Sequence, residues 1–178
     1  LDVLARSGAL KPLVDSRFRG LKHFWSAIAV DRPRKEKNLL ENIEKYALEG
    51  EFSDEEEIQY LVDLTGVFPF DLVLSGHIRR SLDKNYIPPI SEYDPQLSSG
   101  VVWFVPREVI KKKTRNGRDY YLIRVIDSNN EANTIKCWSV RPGKDIVRIN
   151  RPYMAKLEWD AQWGFSTRSI GRTFRMLA

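Results

Sequence analysis

Val101-Val102-Trp103-Phe104-Val105, running on through Lys111-Lys112-Lys113-Thr114-Arg115-Asn116-Gly117-Arg118 into Asp119-Tyr120-Tyr121-Leu122-Ile123-Arg124-Val125-Ile126, is the stretch that decides the fold. Val101, Trp103 and Val105 alternate along a first strand that ends near Lys113, and Arg118 to Ile126 returns as a second. Between them Asn116-Gly117 is a strong short-range hairpin signal, because both central residues of a tight type I′ turn need positive φ. Working outward, Asp127 to Asn133 is a polar turn, Thr134 to Val140 a third strand, and Tyr153 to Trp159 a fourth. Trp163 to Ile170 is a fifth, after a tight Asp160-Ala161-Gln162 turn. Five short strands, with the longer break between the third and fourth, give the pattern of an OB-fold β-barrel.

Upstream the apolar period is helical. Leu39, Leu40, Ile43 and Ala47 recur on one face within Lys35 to Leu48, and Glu41 stands four residues before Lys45 as an intrahelical pair. Ser53 and Glu56 form a capping box ahead of Ile58, Leu61 and Val62, with Gly66 as the stop. Gly20 to Val30 reads as an earlier helix and Asp71 to Leu82 as a later one, interrupted near Ser75 and Gly76. Pro88, Pro89 and Pro95 mark an extended connection. The expected fold class is therefore α+β: a small helical domain over 1–84, a proline-rich linker over 85–98, and a five-stranded OB-fold domain over 99–178.

Charge divides the chain in the same place. Up to Pro95 there are 13 Lys and Arg against 17 Asp and Glu; from Gln96 onward there are 16 against 7. An excess of that size on one small domain points to a polyanionic partner. No apolar run approaches the roughly 20 residues of a membrane span, so the expectation is a soluble cytoplasmic protein with no membrane partner. Cys137 is alone and stands with only His23 and His77, too few for a structural zinc site. The two histidines have no nucleophile beside them and read as structural. Leu1 in place of an initiator methionine fits a piece of something longer.

Alternation then selects a binding face. Tyr121, Ile123 and Val125 point to the core, as do Ile135 and Cys137, leaving Tyr120, Arg124, Lys136 and Trp138 to share the opposite face. Rings stack on unpaired bases while Arg and Lys neutralise phosphates, which is how single strands are held. Lys111, Lys112, Lys113, Arg115 and Arg118 crowd the first hairpin and are candidate phosphate contacts. Tyr153, Trp159, Trp163 and Phe165 are expected to be packing residues. No catalytic residue is expected: the acidic run Asp54 to Glu57 complements a helix amino-terminus, and no Asp-x-Asp pair, phosphate-binding glycine loop or nucleophile elbow is present.

The order of Leu4-Ala5-Arg6-Ser7-Gly8-Ala9-Leu10, then Leu64-Thr65-Gly66 leading to Leu74-Ser75-Gly76-His77, then the strands, resembles the carboxy-terminal part of the bacterial DNA polymerase III alpha subunit. The resemblance implies DNA replication in a bacterial or virus-infected bacterial cell, with the OB-fold near incoming single-stranded template. It implies a partner, the rest of a polymerase, reached through the acidic helical half, and magnesium only in a palm domain upstream, as a nucleotidyltransferase requires. Ile78 replaces the proline usual after Ser-Gly-His, and no Gln-x-x-Leu-Phe sequence lies between Leu48 and Leu64, which leaves a sliding clamp doubtful as a partner. Two other readings fit the residues: a stand-alone OB-fold protein binding single-stranded nucleic acid, and an adaptor whose barrel takes an acidic protein.

Overall fold

A computed structural model describes residues 2–94 and 100–177. It falls into two compact units, Leu1–Pro69 and Phe70–Ala178.

The first unit is helical. Helices α1 (Asp2–Arg6), α2 (Leu21–Trp25), α3 (Glu36–Lys45) and α4 (Asp54–Thr65) are joined by short turns, and α2 runs on through a π-helical turn at Ser26–Val30. Ala5, Leu10, Leu21 and Phe52 form its core, and the Arg6 guanidinium sits over the rings of Trp25 and Tyr60 at 5.2 and 4.8 Å. The predicted capping box is present: Ser53 accepts the Glu56 backbone N–H, the Glu56 carboxylate accepts the Ser53 N–H, and Gly66 closes α4 at φ 70°. Buried His23 joins segments: its Nδ1 accepts the Arg19 N–H and its Nε2 lies 2.9 Å from the Ile43 carbonyl oxygen.

Helix α3 differs from what its sequence pattern suggests in two ways. No residue of it is fully buried, so its apolar stripe is a half-covered one. Glu41 pairs with Lys37 at 3.8 Å, while Lys45 reaches Asp31 at 2.7 Å instead of Glu41. Asp31 offers Lys45 a carboxylate that also accepts from Tyr46, and that shared acceptor outcompetes a bond along one helix face.

The second unit opens with α5 (Phe70–Val73) and α6 (Gly76–Lys84), separated at Ser75 as the sequence suggests; the Ser75 hydroxyl caps α6 by accepting the Ile78 N–H. Within the expected linker, Asn85, Tyr86 and Glu92 are exposed while residues 87–91, Tyr93 and Asp94 are at least partly buried, and 95–98 lie outside the described residues. Ile90, in a 3-10 turn at Ile90–Glu92, is buried in the barrel-side core, and the Pro88 carbonyl accepts the Trp103 N–H. Prolines suppress a helix there without freeing the chain.

Seven strands follow: β1 (Val101–Lys113), β2 (Asp119–Ile126), β3 (Ala132–Cys137), β4 (Tyr153–Lys156), β5 (Glu158–Asp160), β6 (Gly164–Thr167) and β7 (Phe174–Met176). They make one mixed sheet in the order β5-β6-β3-β2-β1-β4-β7, antiparallel except for β3 with β6. The sheet curls, because β4 near one end and β5 at the other are separated in the chain by Leu157 alone. Strand β1 serves both halves: residues 101–104 pair with β4 and residues 105–113 with β2, with a register shift between Pro106 and Glu108. Proline lacks the N–H a ladder needs and tolerates such a bulge.

Inside the curl lie Val102, Phe104, Tyr121, Ile123, Val125, Ile135, Cys137, Tyr153, Ala155, Phe165 and Phe174. Each large side chain removed from water there contributes on the order of 1.5–3 kcal/mol. The alternation expected for β1 is lost, since Val102, Trp103, Phe104 and Val105 are all buried. Trp103 points to the outer side and is covered there by Phe70, at 6.2 Å between ring centroids, and bridged by Pro89. The strand divided at Leu157 and the added β7 raise the strand number above the predicted five.

Candidate nucleic-acid interface

Pairing register places the candidate side chains in rows across β1, β2 and β3. Lys112 pairs with Tyr120, Ile110 with Leu122 and Glu108 with Arg124; Leu122 pairs with Lys136 and Arg124 with Thr134, and Lys136 continues to Ser166 on β6. Because Tyr121 pairs with Cys137, Tyr120 falls next to Trp138, and their ring centroids lie 4.8 Å apart at an interplanar angle of 36°. The Trp138 N–H donates to the Thr167 carbonyl at 2.9 Å, which anchors the residue just past the end of β3. Both rings are half-buried. Tyr120, Arg124, Lys136 and Trp138 thus share one outer face, with Ile110 and Leu122 as its apolar floor.

The cations on that face differ in availability. Arg124 is bound to Glu108 at 2.9 Å. Lys136 donates from Nζ to the Trp163 carbonyl at 2.9 Å and lies 4.9 Å from the Trp163 ring centroid. At the hairpin, Lys111, Lys112, Lys113, Arg115 and Arg118 are all exposed. The Gly117 N–H donates to the Thr114 carbonyl and the Thr114 N–H to the Arg118 carbonyl, with Gly117 at φ 76°. Lys111 sits 3.8 Å from Asp119; by strand alternation Lys112 joins the Tyr120 row, whereas Lys111 and Lys113 stand on the other side of β1.

Two tryptophans assigned to packing are only partly covered. Tyr153 and Phe165 are buried as expected, but Trp159 and Trp163 are 57% and 58% exposed. They flank the turn in which Asp160 Oδ1 accepts the N–H groups of Gln162 and Trp163 at 2.8 and 2.9 Å. Trp159 touches Phe165 edge-on at 4.7 Å. The available signal was their place on either side of a three-residue turn, where a hairpin tip has left the core.

Cys137 is fully buried, and that burial pushes its thiol up to about 12. His77 is exposed in the first turn of α6. Among the described residues no helix is long and apolar enough to cross a membrane, and no group of three His, Cys, Asp or Glu side chains is placed to hold a metal ion. No protein-family model matches the chain, and no curated protein matches it.

Proposed function

We propose that the second unit holds single-stranded DNA across the outer face of β1, β2 and β3, as a template-binding part of a replicative polymerase resembling the DNA polymerase III alpha subunit. The observation that carries the reading is the Tyr120–Trp138 pair, 4.8 Å apart, set between Lys112 on β1 and the Lys136 row on β3. Two contiguous rings offer consecutive bases a stacking platform, and flanking cations follow the backbone. Exposed Trp159 on β5 and Trp163 in the turn after it add aromatic surface beyond β1, β2 and β3.

An OB-type barrel is the finer reading of the curled sheet. The β1-β2-β3 meander, the parallel β3–β6 pair and the segment Tyr153–Asp160, broken only at Leu157, support it. In such barrels the face of the second and third strands and the loops after the first and fourth take oligonucleotides. Here those loops are Thr114–Arg118 and Ala161–Trp163.

The polymerase body is proposed to receive the helical unit. Part of the acidic run at the start of α4 is already engaged within that unit, Glu56 with Lys22 at 2.7 Å and Glu57 with Lys11 at 3.0 Å. Docking then uses apolar as well as acidic side chains. Fluorescence anisotropy of the full chain with labelled oligo-dT and with blunt duplex, across a salt series, tests the central reading. Tighter binding to oligo-dT with a steep loss on adding salt is expected; no binding at low salt defeats it.

A further inference from the structure

A second basic surface lies away from the Tyr120–Trp138 face. On the outer side of β4 and β7, a groove of about 220 Å³ is lined by Lys156, Arg172 and Arg175, among others. Arg175 also borders a groove of about 540 Å³ that carries Lys144 and Arg148. The five cations therefore form one stripe, continuous through Arg175.

The cations of this stripe are available, as are Lys112, Lys113, Arg115 and Arg118 at the first hairpin. Arg124, Lys111 and Arg168 have carboxylates within reach: Glu108, Asp119 and Glu158. Lys144, Arg148, Lys156 and Arg172 are exposed and make no ion pair among the described residues. Arg175 is steered by donating from Nε to the Arg172 carbonyl at 3.1 Å, and a guanidinium held through Nε still presents its terminal N–H groups. Asp145, the one carboxylate among the described residues that line the larger groove, is buried and bound by the Arg141 guanidinium at 2.9 Å and by the Arg141 N–H. That pair ties the Arg141–Asp145 turn; Lys144 also feels the Asp145 charge, while Arg148 and Arg175 have no carboxylate partner among the described residues.

Chemistry narrows the occupant. The groove's two aromatic rings, Tyr153 and Phe174, are buried and packed against each other at 5.0 Å, so neither can stack on a base. Exposed Ile146 and Met176 offer only aliphatic contact. A surface with several free cations and no stacking platform recognises phosphates without needing unpaired bases.

We infer that the Lys144–Arg148–Arg175–Arg172–Lys156 stripe is a phosphate-backbone site for double-stranded DNA, separate from the single-strand face. Guanidinium groups suit it because their planar fork matches phosphate oxygens. The inference rests on the charge of this stripe and stands independently of the single-strand reading.

The test uses the full chain carrying Lys144→Ala, Arg148→Ala and Lys156→Ala together, with Trp138→Ala as the control, against a blunt 20-base-pair duplex and an oligo-dT. All three lysine and arginine side chains are exposed, and a melting curve confirms that the variant folds. The triple variant is expected to bind duplex at least tenfold more weakly at low salt. Its slope of log K against log salt should be shallower by up to about 2.7, at about 0.9 per lost phosphate contact. Oligo-dT affinity should stay within twofold. The control should show the reverse pattern. Unchanged duplex binding, equal losses on both substrates, or competition by poly-glutamate as effective as by duplex would each overturn the inference, the last in favour of an acidic polypeptide. A chain that binds duplex but no oligo-dT would defeat the single-strand proposal and leave this one standing.

Discussion

The ring of Tyr120 lies 4.8 Å from that of Trp138, the two planes inclined by 36°, although Tyr120 stands in β2 and Trp138 just past the end of β3. The Tyr121–Cys137 pairing sets this neighbourhood, and the Trp138 backbone N–H, donating to the Thr167 carbonyl, holds Trp138 just past the ladder. A preformed platform costs little ordering entropy when a strand binds.

Trp138→Ala should weaken oligo-dT binding by roughly 1–3 kcal/mol with little change in salt slope, since it removes stacking and no charge. Tyr120→Ala should behave alike. Because the rings touch, the double variant should lose less than the sum of the two. Equilibrium titrations of the three variants check this, with melting curves to identify any loss of fold.

Arg124 gives a different signature because Glu108 already holds it at 2.9 Å. Arg124→Ala should lower affinity modestly and make the salt slope shallower by under about 0.7, the value for one full single-strand phosphate contact. Glu108→Gln should raise affinity at low salt, since it frees the guanidinium and removes a repelling charge. A Glu108→Gln variant binding more weakly than the parent would show that the pair positions Arg124 for the ligand.

The face around Tyr120 was legible because β2 and β3 alternate cleanly: Tyr121, Ile123, Val125, Ile135 and Cys137 are buried, and their neighbours are not. Period two is a local property that one strand can carry. Strand β1 was read with the wrong burial because Phe70 packs on the Trp103 ring and Pro89 bridges the Trp103 backbone, tertiary facts absent from the strand's own sequence. The packed Ile90 was missed likewise, since prolines announce only the absence of helix. The stripe from Lys144 to Arg175 was invisible because it joins a loop to β4 and β7, and β7 is too short to carry a periodic signal. The Leu4–Leu10 motif has a structural role of its own: Ala5 and Leu10 are core and Arg6 lies over two rings.

Cys137 should resist thiol reagents in the native protein. Its side chain is fully buried, and burial pushes the thiol up to about 12, so thiolate is scarce at pH 8. Reaction with a maleimide at pH 8 should be slow in buffer and fast in denaturant. Rapid native labelling would mean that the barrel-side core opens readily.

Gly20 admits no side chain. A Cβ there would lie 2.6 Å from the Gly50 carbonyl oxygen and 2.7 Å from its carbon, both backbone atoms that cannot swing away. The adjoining turn is tied by the His23 N–H donating to that same Gly50 oxygen at 3.1 Å. Gly20→Ala should therefore destabilise the chain by about 1–3 kcal/mol, the usual cost of overpacking, measured as a lower denaturant midpoint. Gly50→Ala is the control and should be mild, because a Cβ added at Gly50 meets no other atom within 4 Å.

Glu56 makes stability depend on pH at the acid end. Its carboxyl is held below the usual carboxylate range by the hydrogen bond from Lys22, at 2.7 Å, and by the Ser53 N–H and hydroxyl. A carboxyl depressed on folding stabilises the native state fully above its unfolded pKa and loses that contribution as pH falls through the folded one. Lys22 is raised by the same bond, and its contribution fades only at the alkaline end, as pH climbs through its folded pKa. Glu56→Gln keeps the capping geometry, since glutamine can also accept the Ser53 N–H, but removes the charge. The variant should melt a few degrees lower than the parent at pH 7, and the two should converge as pH drops below the unfolded range of glutamate, about 4.3. Ser53→Ala, by contrast, removes a cap worth about 0.5–2 kcal/mol; the loss of the acceptor for the Glu56 N–H should persist at low pH, and only the part owed to the hydroxyl's bond with the Glu56 carboxylate should fade. Helical circular dichroism followed through thermal melts at several pH values separates the two. A Glu56→Gln deficit that persists at low pH would assign the residue's role to the cap and not to the ion pair.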